Sequence, residues 1–377
     1  MVLIRINWRS VMSTRRKFLK VLGGGVIVAA AGGGAFLATR RPTKALAPWE
    51  QAAGYDDPVK RALAHALLAP NPHNRQPWLV DLGVENQVTV LRDETRELPM
   101  TDPFNRQIFI GMGCFLENMV IAASQTGHAV ELDILPEGEN GPVAVARFSR
   151  GASEDPLARQ ILHRHSAKED YTEAPVEPEK AEALSAYVRV ITRPDEVQAL
   201  RELTWRALEV ELMTERTLQE SIDLSRIGKR EINANPDGIE MREPHLDALY
   251  SLGLLTREMM ADTSGAGMRG VLNRLKAACF ATPAHTVLVT DGNTRRDQIE
   301  AGRVWMRYSL AVTGLGLGTQ PMSQALQEFP EMSEHYAQAH ATLAKPGQTV
   351  QMLARLGYGS AAIPTPRWPL ETRIMNG

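Results

Sequence analysis

Apolar residues recur along this chain in two periods, short runs near period two and longer runs near 3.6. The short runs predict strands over Trp78–Leu82, Val88–Leu91, Val130–Leu135, Val143–Phe148, Val188–Ile191, Thr286–Val289 and Thr349–Leu356. The longer ones predict helices over Pro58–Leu68, Asp155–His163, Pro178–Ala186, Glu196–Leu218 and Glu331–Leu343. Strands and helices interleaved in this way give an α+β chain. Ser221–Arg242, with Asn233, Pro236 and Gly238, has weak periodicity and reads as a loop or lid.

Two further helices belong to a repeated pattern. After the strand Thr89-Val90-Leu91, Gln107-Ile108 opens a helix through Gly111 to Gly127; after Thr286-Val287-Leu288, Gln298-Ile299 opens one through Gly302 to Gly318. Each begins Gln-Ile-x-x-Gly and closes on a glycine suited to a helix C-cap. Ile110, Cys114, Met119 and Ile121 in one, and Val304, Trp305, Leu310 and Val312 in the other, favour buried packing. The repetition predicts a duplicated unit.

Composition narrows the class. With 44% hydrophobic and 23% charged residues the chain packs as a globular protein. A net charge of −2 leaves no basic excess for a nucleic-acid partner. The two cysteines, Cys114 and Cys279, are too few for a disulfide framework and sit in apolar surroundings that suit buried thiols. No metal-ligand spacing stands out.

The N-terminal end carries an address. Ser13-Thr14-Arg15-Arg16-Lys17-Phe18-Leu19-Lys20 followed by the apolar, glycine-rich Val21–Leu37 has the pattern of a twin-arginine export signal. That stretch is shorter than the ~20 apolar residues of a membrane span. Residues 1–47 form this signal region, with Met12 an alternative start that leaves 1–11 untranslated. Ala45-Leu46-Ala47 offers a cleavage triplet, which Pro48 then disfavours, so a cut elsewhere or an uncleaved tether stays open. Such cargo crosses folded, through the Tat translocon, and the usual reason is a cofactor inserted beforehand. The expected location is the periplasm or the outer face of the cytoplasmic membrane.

Three stretches carry candidate chemistry: Ala69-Pro70-Asn71-Pro72-His73-Asn74-Arg75-Gln76-Pro77-Trp78, Arg164-His165-Ser166-Ala167-Lys168, and the C-terminal run through Leu356-Gly357-Tyr358-Gly359 to Arg367-Trp368. Arg164, Lys168 and Arg367 offer charge-assisted donors to a dianion, and the Ser166 hydroxyl adds one more. Asn74 can present a donor and an acceptor to a heterocycle edge. Read singly, each has a plainer role: a helix-stopping turn, a core tryptophan, a solvated helix end, a strand cap.

In this order the motifs resemble the nitroreductase superfamily, and within it the Acg-like FMN-binding branch, over roughly residues 55–372. Ala69–Trp78 is similar to the loop that covers the flavin from the partner subunit, and Arg164–Lys168 to the phosphate-binding element. Gly314–Gln324 resembles the segment whose backbone approaches the flavin N5, with Leu356–Arg367 as the closing strand and its phosphate arginine. The resemblance implies a nitroreductase-like fold, and FMN contacts at Pro70, Asn71, Asn74, Gln76, Arg164, His165, Ser166, Lys168, Gly318, Pro321, Met322, Ser323 and Arg367. Two positions depart from the family pattern: Asn71 stands where serine is usual, and Trp368 where a second arginine is common.

The first half has the covering loop without R-H-S-x-K, and the second the reverse. This implies a fused, monomeric pseudo-dimer, with halves 48–153 and 154–377 and one surviving site for one FMN. The implied activity is reduction of a nitro, quinone or similar acceptor. Export removes NAD(P)H, so a quinone or partner protein is the expected donor. The alternatives are a protein that stores or sequesters flavin under a lid, and a scaffold without cofactor; a colourless preparation would favour the last.

Overall fold

The computed structural model describes residues 39–359 and 363–376. The arginine pair and the apolar stretch read as an export signal lie outside the described residues. Eleven strands are described: β1 (Trp78–Asp81), β2 (Gln87–Arg92), β3 (His128–Ile134), β4 (Ala144–Arg150), β5 (Arg189–Ile191), β6 (Ser225–Ile227), β7 (Ile239–Met241), β8 (Ala284–Thr290), β9 (Gly318–Pro321), β10 (Thr349–Gly357) and β11 (Ile374–Asn376). They form a five-stranded sheet in the order β11-β1-β2-β4-β3, a four-stranded sheet β5-β8-β10-β9 and a β6-β7 pair. With helices between and around the sheets, the chain is α+β.

Every strand expected from the period-two runs is present. β1 shows why: its alternation buries Trp78 and Val80 and leaves Leu79 and Asp81 half-exposed, the signature of a sheet with one covered face. β11 was not legible. It joins the first-half sheet parallel to β1, with Val80 opposite Ile374. The last residues of the chain thus return to the sheet built by the first.

The core of the molecule is the crossing of the Arg106–Ser124 and Arg295–Gly314 helices, one from each repeated segment. Arg106–Ser124 is buried almost all round, since the other helix covers one side while the Pro58–Ala66 helix and its own sheet cover the rest. It is the one helix among the described residues long and apolar enough to span a membrane, and its burial marks it as a core helix. The crossing has no room for side chains. A Cβ on Gly113 would lie 2.0 Å from the Ile299 carbonyl oxygen, and one on Gly302 would lie 2.0 Å from that of Ile110. The reciprocity, Ile110 with Ile299 and Gly113 with Gly302, gives the crossing local two-fold character. The Gln-Ile-x-x-Gly alignment instead matches Gly302 with Gly111, two residues out of this register. Gly111 faces the covering loop, where an added Cβ would meet the Asn71 Cβ at 3.1 Å. Buried Glu117 ties the crossing further, accepting from Arg303 Nε at 2.7 Å and Arg307 Nε at 2.5 Å.

Other boundaries moved for local reasons. Gly127 adopts the left-handed φ of 73° expected of a C-cap, but the second helix stops at Gly314 and Gly316 takes that role with φ 69°, leaving Gly318 to open β9. The Glu196–Leu218 expectation resolves into Pro194–Met213 and Glu215–Asp223, separated by Thr214 in an extended conformation. Asp155–His163 contains only a 3-10 turn at Pro156–Gln160. Ser221–Arg242 is ordered structure, comprising β6, a helix at Gly228–Ala234 and β7. Cys114 and Cys279 are free and buried, and burial pushes their thiols up to about 12 and about 11. The Ala45-Leu46-Ala47 triplet lies inside a packed helix, Thr43–Gln51, where Ala45 and Leu46 are buried and the Ala45 carbonyl accepts from Arg367 N at 2.9 Å.

Candidate functional site

A cavity of about 300 Å³ lies beside the helix crossing, lined by residues from almost every part of the chain. Pro70, Asn71 and Asn74 enter from the covering loop, Arg164, Ser166 and Lys168 from the R-H-S-x-K segment, Pro321 and Ser323 from the end of β9, and Arg367 from the C-terminal run. Nine of the residues expected from the sequence therefore meet at one place.

The covering loop is held in a conformation it would not choose alone. Asp57 caps the Pro58–Ala66 helix through Lys60 N at 2.8 Å, the helix ends, and His73, Asn74 and Gln76 then all take positive φ. Each such non-glycine residue costs roughly 1–3 kcal/mol unless its surroundings hold it. Here Asn71 Oδ1 accepts from Gln76 N at 2.7 Å, Asn74 Nδ2 donates to the Pro366 carbonyl at 3.1 Å, and Asn74 O accepts from Gly238 N at 3.2 Å. Asn74 Oδ1 accepts from Arg367 Nη1 at 2.8 Å, so both polar atoms of the Asn74 amide already have protein partners.

The opposite wall follows from strand-like alternation. Ser166 and Lys168 face the cavity while Ala167 between them packs on β9, its N–H donating to Thr319 O at 3.0 Å. Gly318 permits that contact, because a Cβ there would stand 2.7 Å from the Ala167 Cβ. Gly318 thus positions the wall without lining it. Three more expected residues lie outside the lining. Gln76 is buried and bridges Pro236 O, at 2.8 Å, and Trp368 N, at 2.9 Å. His165 meets Trp49 edge-on at 4.5 Å, and burial with Arg164 and Arg367 nearby pushes it down to about 3. Met322 packs with Trp205, Leu208 and Cys279.

The electrostatics of the wall are lopsided. Arg164 and Arg367 are both buried, and both donate to the Leu68 carbonyl, at 3.2 and 3.1 Å, just beyond the end of the Pro58–Ala66 helix. That helix end favours a cation, yet neither guanidinium has a carboxylate partner among the described residues. Burial pushes Arg164 down to about 10; burial, then the neighbouring Arg164 charge, pushes Arg367 down to about 9. Arg367 spends its donors on Leu67 O, Leu68 O, Ala69 O, Pro366 O, Thr365 Oγ1 and Asn74 Oδ1, so it adds charge but no free donor to the cavity. Arg164 makes the single bond to Leu68.

Several lining residues were not expected. His73, Trp305, Gln324, Gln327 and Glu211 are among them, and Gly238 and Ile239 bring the strap at the start of β7 to the cavity. Asp237 pins that strap, accepting from Arg96 Nη1 at 2.8 Å, Arg226 Nη2 at 2.9 Å and Trp368 Nε1 at 3.3 Å. Glu211 left a signal in the sequence: it falls on the apolar stripe Leu200, Thr204, Ala207, Leu208 of its helix, where an acid needs a reason. Burial raises its carboxyl to about 7, although Gln327 Nε2 donates to it at 2.9 Å. His73 Nε2 stands 3.9 Å from it, and burial pushes that imidazole down to about 4, so the contact is polar rather than ionic near neutral pH.

Because folding raises the Glu211 carboxyl from its ordinary 4.5, its contribution to stability is full below about pH 4.5 and is lost as pH rises through about 7. Wild type and Glu211→Gln should unfold alike in urea near pH 4.5, with the variant gaining on the order of 3 kcal/mol relative to wild type by pH 8. Parallel pH curves for the two proteins would contradict this.

No family model matches the chain. A protein from two strains of Mycobacterium tuberculosis, named as an NAD(P)H nitroreductase, Acg, is 30% identical over 90 residues, 24% of this chain. The match spans 27% of that relative, about a quarter of its length. Similar solved structures include the FMN-dependent nitroreductase NfnB from Mycobacterium smegmatis in complex with NADPH, 18% identical over 57% of this chain and 96% of that one, with a TM-score of 0.37. A nitroreductase with bound FMN from Desulfitobacterium hafniense is 14% identical over 59% and 98%, with a TM-score of 0.35. A nitroreductase from Anabaena variabilis is 13% identical over 77% and 82%, at 0.38.

Proposed function

We propose that this chain is an exported FMN-dependent oxidoreductase with a nitroreductase-like fold, holding one FMN between its two halves and reducing a nitro, quinone or similar acceptor. The observation that carries the reading is the buried Arg164–Arg367 pair, two charges with no ion-pair partner among the described residues, beside an open cavity. Buried charge without a partner is costly, and a phosphate dianion supplies what is missing. The donor set fits the group: Arg164, Lys168 and Ser166 would hold the phosphate, and Arg367 would add field while fixing the wall. Trp305, Ile110 and Met352 give an apolar surface for a planar ring, and about 300 Å³ stands at the small end of the ~300–1,000 Å³ usual for ligand sites.

When bound, the flavin supplies the two-electron chemistry, and the protein supplies binding, orientation and field. The cationic wall favours an electron-rich, anionic reduced state and so favours accepting electrons. The strap at Asp237–Ile239 restricts access of bulky partners, and its three tethers favour a second reading, flavin sequestration with little turnover. For location, the packed Thr43–Gln51 helix favours a chain not cut after Ala47, hence a tether on the outer face of the membrane. A membrane quinone or a partner protein is the electron donor that such a location allows.

Purified full-length protein should be yellow, with about one FMN per chain. Anaerobic addition of a reduced quinone should bleach it; bleaching by dithionite alone would favour sequestration, and a colourless protein that binds no added FMN would end the flavin reading.

A further inference from the structure

Among the described residues Glu211 is the one acid lining the cavity, whose other lining residues are positive or neutral. It comes from the Pro194–Met213 helix, and its surroundings are polar but incompletely paired. Gln327 Nε2 donates to Glu211 Oε2, while Gln327 Oε1, Gln324 Oε1 and His73 Nδ1 are buried with no hydrogen-bond partner among the described residues. All three belong to cavity-lining residues. Buried polar atoms in native proteins are nearly always paired, so three orphans around one carboxyl mark where a ligand's polar atoms belong. Lys168 and Arg164 line the same cavity but form no ion pair with Glu211. The titratable groups that act on it are neutral His73 from the covering loop and Glu220 from the Glu215–Asp223 helix, whose negative charge opposes ionisation.

We propose that Glu211 is the proton donor to the acceptor reduced in this cavity, and that the acceptor is of the class that must gain one proton beyond each hydride it receives, a quinone or nitro compound. The inference rests on the flavin reading above. The balance for a quinone is two electrons and two protons. Reduced flavin, when bound, would supply both electrons and one of the protons as a hydride, which leaves the second proton for the protein to deliver. The Glu211 O–H breaks as the new O–H of the hydroquinone forms, leaving a carboxylate that takes a proton from solvent once the product leaves. An acid that titrates near neutral pH, as burial makes this one, meets the requirement that donor strength and protonation both be available, and such groups are worth roughly 10²–10⁴ in rate. A carboxylate held ionised could not serve, and the apolar stripe around Glu211 is what keeps it from ionising.

The test compares wild type with Glu211→Gln, a near-isosteric change that keeps one donor and one acceptor. Both proteins, loaded with FMN, are reduced with dithionite and mixed anaerobically with a benzoquinone or with hexacyanoferrate(III), which accepts electrons without a proton. We expect E211Q to slow re-oxidation by the quinone about a hundredfold relative to hexacyanoferrate in the same preparation. In wild type the quinone rate should fall as pH rises through about 7, and in E211Q that dependence should be gone. An independent readout needs no turnover: the infrared carbonyl stretch of a protonated carboxyl should be present in wild type at pH 6 and missing in E211Q. Equal quinone rates and equal pH profiles in flavin-loaded proteins, or no infrared difference between them, would overturn the role of Glu211 while leaving the flavin reading intact. A wild-type protein that takes up no FMN would overturn both.

Discussion

Gly302→Ala should lower stability by about 3 kcal/mol or more, and Gly113→Ala should do the same. The new methyl has no position in which to sit, because each Cβ would stand 2.0 Å from a carbonyl oxygen of the facing helix and 2.9 Å from the Cα of the facing glycine. The helices must part, and Arg106–Ser124 buries nearly its whole surface in the core while Arg295–Gly314 buries the face turned toward it. A loss of that size lowers Tm by roughly 4 °C or more in a chain of this length. The sign makes the test sharp, since alanine is a better helix former than glycine by about 1 kcal/mol. Gly270→Ala is the control: its Cβ would meet nothing within 4 Å in the Ala266–Phe280 helix, so it should stabilise slightly. The two disruptive changes act on one crossing, so the double variant should lose less than their sum. Calorimetry of the four variants beside wild type decides it; a Gly302→Ala protein as stable as wild type would mean that the two helices do not cross here. Because the cavity lies beside this crossing, the same variants should also lose FMN affinity.

The second large effect is on the cofactor. Arg164→Ala with Lys168→Ala should give a folded but colourless protein. A hydrogen bond to a charged group is worth about 1.5–3 kcal/mol, so losing two weakens FMN binding by roughly 10²–10⁴. Neither side chain holds the fold together: among the described residues Arg164 makes one hydrogen bond, to Leu68 O, and Lys168 forms no ion pair. Circular dichroism unchanged with the flavin absorbance gone is the expected result, and titration of apoprotein with FMN gives the affinity. Retention of FMN at wild-type affinity by the double variant would remove the phosphate assignment. Arg367→Ala should differ, failing first in stability, since that guanidinium ties the C-terminal run to Leu67, Leu68, Ala69 and Asn74 through four of its six hydrogen bonds.

The comparison of these arginines shows how far a sequence motif reaches. Both were expected as phosphate donors from their place in the motifs, and both line the cavity. Residue type and order convey charge, but which N–H groups remain free depends on where three consecutive carbonyls, Leu67 to Ala69, happen to point. His165 and Met322 make the same point from the other side. They sit inside the right motifs, one residue from lining side chains, and alternation turns them toward Trp49 and toward Trp205 instead.

What the sequence determined by itself was local. Alternation set β1 to β5, β8 and β10, because a sheet with one covered face leaves a period of two in the residues it buries. Proline, asparagine and glycine marked the covering loop, and a basic cluster with a hydroxyl marked an anion wall. The tertiary structure decided what distance in sequence hides. It set the register of the helix crossing, since the Gln-Ile-x-x-Gly repeat cannot say which glycine meets its counterpart. It brought β11 back to β1, three residues too short to carry a period. It also gathered Glu211 with His73, Gln324 and Gln327, four residues from three separate segments whose shared property is the low dielectric they create for one another. A pKa is a property of surroundings, and a one-dimensional pattern lists neighbours along the chain rather than across it.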